Sequence, residues 1–239
     1  MSKIQGFLLH LAISALIVGA ALATIFFVWY PTPYFAIAGA FDVVKVLVGV
    51  DLVLGPALTL LFYRPGKPGV WFDLGVIAAI QLVALVYGLW TIHSERPLYM
   101  IFTVDRFVML SARDIDPDSL PQAWQRRRPL SGPLYAVATM PEDRDAQQAL
   151  LFEILDGAPD VEFRPAHWST LDDKREIVTA RIEPLSDLPS GHEAELSGFD
   201  DDTVGFVPVT WKVDTAMALI VDKDTALPLG VIDTNPFER

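Results

Sequence analysis

With 239 residues, 52% hydrophobic and 20% charged side chains, the chain has room for an apolar unit and a water-soluble domain of ordinary size. Residues 1–92 carry four basic and three acidic side chains, net +1, while residues 93–239 carry fourteen against twenty-seven, net −13, which argues against nucleic acid as a partner. The absence of cysteine excludes disulfides, thiol redox chemistry and zinc-thiolate sites, and four scattered histidines suggest no metal cluster and no cofactor site.

The first apolar run, Phe7 to Trp29, begins after Lys3 and contains the cleavage-like triplet Ala21-Leu22-Ala23. It exceeds the roughly 7 to 15 residues of a signal-peptide core, and two further apolar spans follow, so a retained transmembrane helix is expected. Ala15, Gly19 and Ala23 repeat at four-residue spacing and would let another helix approach closely; packing inside the helix bundle is the expectation. The connection 31–40 has no charge.

The second span, Phe41 to Phe62, carries Asp51 at its middle and Gly55-Pro56 one turn later. An aspartate at a helix centre costs about 3 kcal/mol, against about 0.3 to 0.6 returned by each apolar residue. With fourteen Phe, Leu and Val residues in the span, insertion wins. Asp51, Gly55 and Thr59 are spaced i, i+4, i+8 and share one face, of a kind that meets protein rather than lipid. Pro56 removes an amide donor, so a kink is expected just beyond Asp51. Pro65, Gly66, Pro68 and Gly69 then turn the chain, with Arg64 and Lys67 in the turn.

The third span runs from Trp71 to Ile92, with Gln81 at about the depth of Asp51. The two are candidate partners across the hairpin, since an unpaired polar group in hydrocarbon is costly. Presentation of the site to another protein's helix is the second reading, and ion or proton traffic a third. Asp42 with Lys45, and Asp73 beside the basic turn, read as anchors at the span ends. Trp29, Tyr30, Tyr63, Trp71 and Trp90 mark those ends as interface belts do. Lys3, Arg64 and Lys67 place the N-terminus and the 63–70 turn in the cytoplasm. An odd number of crossings then delivers residues 93–239 to the other side, the periplasm of a Gram-negative cell.

From residue 97 the pattern changes to strands: Leu98 to Val104 and Phe107 to Leu110 form a hairpin at Asp105-Arg106, and Leu134 to Thr139 follows. Pro117 to Trp124, capped by Asp116, reads as a short helix, and Arg126-Arg127-Arg128 as a solvated loop. Pro141 to Leu155 reads as an amphipathic helix burying Ala149, Leu150, Phe152 and Ile154, and helices are expected around Asp172 to Ile182 and Glu193. Strands at Gly205 to Val213, Thr215 to Val221 and Leu227 to Ile232 close an α+β domain with a mostly antiparallel sheet. The expected organisation is a three-helix transmembrane unit, 1–92, and a periplasmic domain, 93–239.

No Gly-x-Ser-x-Gly, His-Glu-x-x-His or phosphate-binding glycine loop is present, and Asp200-Asp201-Asp202 reads as a solvated turn rather than a calcium site. An intramembrane aspartyl protease would need a second aspartate facing Asp51, but Asp42 and Asp73 stand at span ends. No enzymatic activity is expected.

Four segments carry a resemblance to a known family: Phe27-Val-Trp-Tyr-Pro31; Gly49-Val-Asp51 through Gly55-Pro56 to Thr59; Gly66-Lys67-Pro68-Gly69 with Phe72-Asp73; and Arg96-Pro97-Leu-Tyr99 leading to Asp105-Arg106-Phe107. In this order they resemble the type IV pilin accessory proteins of the TfpX/TfpZ family over the N-terminal half. The resemblance implies residence in the inner membrane and a cognate pilin as partner, with no catalytic residue. Gly6-Phe7 is similar to a prepilin cleavage site, but Leu11 stands where a glutamate is expected, and it reads as helix entry. A membrane-anchored periplasmic sensor or scaffold would use the same architecture and is the alternative.

Overall fold

The computed structural model describes residues 2–66, 68–211 and 216–237. Lys67 of the basic turn, and Val213 and Thr215 of the expected strands, lie outside the described residues.

Helix α1, Lys3–Thr24, opens on a capping box in which Ser2 Oγ accepts from the Gln5 amide and the Gln5 side chain accepts from the Ser2 amide. It continues through a π-helical turn, Ile25–Trp29, which gives 27 helical residues, or about 40 Å. A one-turn helix α2, Tyr34–Ile37, fills the connection. The second span is α3, Phe41–Val48, a π-helical segment Gly49–Leu54, and α4, Gly55–Phe62. Gly66 and Gly69, at φ 78° and 83°, supply the left-handed turns that reverse the chain into α5, Val70–Ser94. All three assemblies are long and apolar enough to cross a membrane.

Seven strands follow: β1 Pro97–Thr103, β2 Arg106–Ser111, β3 Leu134–Ala138, β4 Trp168–Thr170, β5 Val204–Trp211, β6 Ala216–Asp222 and β7 Pro228–Ile232. They form one sheet in the order β4-β3-β1-β2-β5-β6-β7. The sheet is mixed rather than mostly antiparallel, because β3 runs parallel to β1 and β5 parallel to β2. Tight local turns give the antiparallel hairpins, but the long segments 112–133 and 171–203 bring non-neighbouring strands alongside in the same direction.

Both faces of the sheet centre are covered. Met100, Phe102, Phe107, Met109, Val207 and Val209 form one core, and Tyr99, Ile101, Val108, Leu110, Ala136 and Trp168 the other. A strand buried on both sides needs no polar alternation, so β1 is apolar almost throughout. The first core is completed by Tyr34 and Ile37 from the 31–40 connection, and the Tyr34 and Tyr135 hydroxyls meet in a hydrogen bond. Tyr30 also donates from its hydroxyl to the Ile92 carbonyl at 2.8 Å, tying the end of the first span to that of the third.

Helix α6, Arg144–Leu155, is capped by Asp143, but of its expected apolar face Leu150 is buried, Ile154 is half-buried, and Ala149 and Phe152 are exposed. The helix expected over Pro117 to Trp124 is only a turn, Pro117–Ser119, held by the Asp116 side chain. Asp172 to Ile182 shortens to α7, Arg175–Thr179, and α8 spans Glu193–Leu196.

Candidate functional site

The polar residues of the second span turn inward. Asp51, Thr59 and Gln81 are 5%, 2% and 9% exposed, and Gly55 and Pro56 are buried beside them. The local backbone explains the arrangement. In the π-helical segment the Gly55 amide donates to the Val50 carbonyl, so the next donor in that register would be residue 56, reaching the carbonyl of Asp51. Residue 56 is proline and has no N–H. The Gln81 carboxamide takes the vacated place, donating from Nε2 to the Asp51 carbonyl at 3.4 Å. Gly55 makes room, since a methyl group there would overlap the Gln81 carboxamide. Gln81 thus meets the Asp51 backbone as well as the Asp51 side chain, and Gln81 Oε1 has no partner among the described residues.

Two further groups on α1 complete the cluster, and the sequence reading did not single them out. His10 Nδ1 lies 2.5 Å from Thr59 Oγ1, and Ser14 is buried one turn on. Their i, i+4 spacing in an otherwise apolar run was the available signal. Together His10, Ser14, Asp51 and Gln81 border a cavity of about 130 Å³. A second cavity of about 240 Å³, lined by Leu47, Val50, Gly88 and Thr91, reaches Asp51 from the other side.

Ala15, Gly19 and Ala23 are not packed inside the bundle as expected. All three are exposed, because α1 buries the opposite face, Ser14, Val18, Ala21 and Ile25, against the other spans.

The motif from Arg96 to Phe107 is divided between two ends of the domain. Arg96 is buried at the helix end and donates to the Pro129 and Leu130 carbonyls, Pro97 starts β1, and the Tyr99 hydroxyl donates to the Gln125 carbonyl at 2.9 Å. Asp105 and Arg106 pair at 2.8 Å at the hairpin tip, about 20 Å along the strand, and Phe107 is fully buried. Arg106 also covers the Phe237 ring, 4.7 Å from its centroid, at the edge of a pocket of about 660 Å³. Glu162 lines that pocket, and burial pushes its carboxyl above the usual range.

Among the described residues no cluster of His, Asp and Glu could hold a metal ion. Asp42 stands nine residues, about 13 Å, from Asp51 and pairs with Lys45 at 3.0 Å. The paired aspartates of an intramembrane protease are therefore not assembled by Asp51 and Asp42.

These features define a class: three helices able to cross a membrane, with a polar cluster among them, joined to a mixed-sheet domain. Residues 1–39 match the family described as Fimbrial assembly protein FimB. The serogroup E1 fimbrial assembly protein of Dichelobacter nodosus is 31% identical over 189 residues, covering 77% of this chain and 72% of that protein. The serogroup I protein of the same organism is 42% identical over 126 residues, which are 51% of this chain and about half, 48%, of that protein. The protein of serogroups C1 and C2 is 41% identical over 126 residues, 51% of this chain and 93% of its own length. No solved structure matches. The chain belongs to the fimbrial assembly protein family.

Proposed function

We propose that this protein is an inner-membrane accessory factor that assists assembly of a cognate type IV pilin, binding the pilin through helix contacts in the bilayer, through its periplasmic domain, or both. Family membership supports the assembly role. The observation that carries the bilayer contact is the outward face of α1, where Ala15, Gly19 and Ala23 give a helix-sized strip of small side chains. A pilin's apolar helix would lie there before extraction into a fibre. The Asp51 cluster, being inward, holds the bundle in the shape that presents this strip. The N-terminus and the 63–69 turn face the cytoplasm in this reading, and residues 93–239 form the periplasmic domain.

The test is co-purification of the detergent-extracted protein with a type IV pilin of the same cell, combined with photo-crosslinking residues introduced at Gly19 and at Val83. Val83 is 70% exposed on α5 and away from the strip. Crosslinking to pilin from position 19 and not from 83 is expected. Recovery of pilin with equal crosslinking from both positions would remove α1 as the contact, and no recovery at all would remove pilin binding.

A further inference from the structure

The end of the sheet domain nearest the three helices carries a basic loop that the assembly role leaves unused. Arg96, buried where the third span ends, donates to the carbonyls of Pro129 at 2.7 Å and Leu130 at 3.3 Å. Gly132 lies against the Tyr34 ring of the 31–40 connection. Residues 125–132 are therefore pinned at the level of the helix ends. At the tip Leu130 is 80% exposed, as open as any large apolar side chain on the three spans.

The charges beside it are basic in a domain of net −13. Arg127 and Arg128 are exposed, and among the described residues neither pairs with a carboxylate. Arg128 comes close enough to Arg96 that its like charge adds to burial in pushing Arg96 down. Arg113, paired with Glu95, lies over the Trp90 ring of α5, 5.0 Å from its centroid. A guanidinium thus stands at the height of an indole of the kind that sits among lipid headgroups.

We propose that the 126–132 loop is a membrane-surface anchor: Leu130 enters the boundary between headgroups and acyl chains, and Arg127 and Arg128 bind the phosphates of anionic phospholipids in the leaflet on the domain's side. Position selects a lipid surface as the occupant, because the helix ends to which the loop is fastened set the height of the bilayer. Chemistry agrees, since guanidinium forks match phosphate oxygens and a basic patch offsets the repulsion between an acidic domain and anionic lipid. The inference rests on the reading of the three helices as membrane spans.

The chain has no cysteine, so single substitutions accept one fluorophore each. Full-length protein with an environment-sensitive dye at Leu130→Cys, Val83→Cys or Val104→Cys would be placed in nanodiscs of phosphatidylcholine with phosphatidylglycerol. Val83 reports the span and Val104, 75% exposed at the hairpin tip, the membrane-distal end. The dye at 130 is expected to be quenched by a lipid-borne spin label and shielded from aqueous iodide, unlike that at 104. Arg127→Glu with Arg128→Glu should abolish this protection. Quenching at 83 but iodide access at 130 equal to that at 104 would overturn the anchor, as would protection untouched by the charge reversals, or shielding from iodide without lipid quenching. Absence of lipid quenching at 83 would instead overturn the spans on which the anchor depends.

Discussion

Gly55, Pro56 and Gln81 form one device in which each residue answers a problem set by another. Proline leaves a carbonyl without its helical donor, glutamine supplies the donor from the next span, and glycine vacates the volume the glutamine occupies. Gly55→Ala should therefore destabilise the bundle by about 2 kcal/mol, the usual cost of forcing an added methyl into a packed site. In a Gln81→Ala background the same change should cost below about 1 kcal/mol, since its obstacle is gone. Unfolding of the purified protein in mixed detergent with rising dodecyl sulfate would measure the cycle. Equal costs in the two backgrounds would show that Gly55 does not make room for Gln81.

At the scale of elements, the 31–40 connection is more than a link between spans. Ile37, 5% exposed, and Tyr34 fill one core of the sheet, so a segment before the second span stabilises a domain that begins some sixty residues later. Ile37→Ala should cost about 3 kcal/mol, in the range for a buried isoleucine truncated to alanine. Hydrogen exchange of the β1 and β5 amides in the full-length protein reads this out. Unchanged exchange would mean that the connection rests on the sheet without supporting it. None of this was legible in Pro31-Thr-Pro33-Tyr34, whose local chemistry says only that the chain turns. The three spans were legible because twenty apolar residues have few alternatives, and Gly55-Pro56 announced a departure from regular α-helix near Asp51 but not its π-helical form. The β1–β2 hairpin was visible too, but the parallel pairings were not, because register between distant strands is decided by the core they share. Helix α6 shows the opposite limit: its apolar periodicity is present, yet Phe152 and Leu155 stay exposed. His10 and Ser14 escaped notice because a single polar residue in an apolar helix announces its cost and not its partner.

At the scale of the whole molecule, the ties between connection and domain constrain topology independently of charge. The Tyr34–Tyr135 hydroxyl contact, Ile37 in the sheet core and the Tyr30–Ile92 bond require residues 31–40 and residues 97–237 to share one side of any membrane the spans cross. Ser2 and the 63–69 turn, at the opposite ends of the same helices, then share the other. Charge reaches the same partition by a separate route, since Arg64 lies in the turn and the 31–40 connection has no charge. Ala36, Val104 and Pro65 are exposed and suit single cysteine substitutions. A membrane-impermeant maleimide added to spheroplasts should label Ala36→Cys and Val104→Cys, and label Pro65→Cys only after lysis. Labelling of all three after lysis alone would invert the orientation but keep the fold. Labelling of Ala36→Cys and Val104→Cys from different sides would break the fold itself, because a bilayer cannot lie between two residues whose elements share one core.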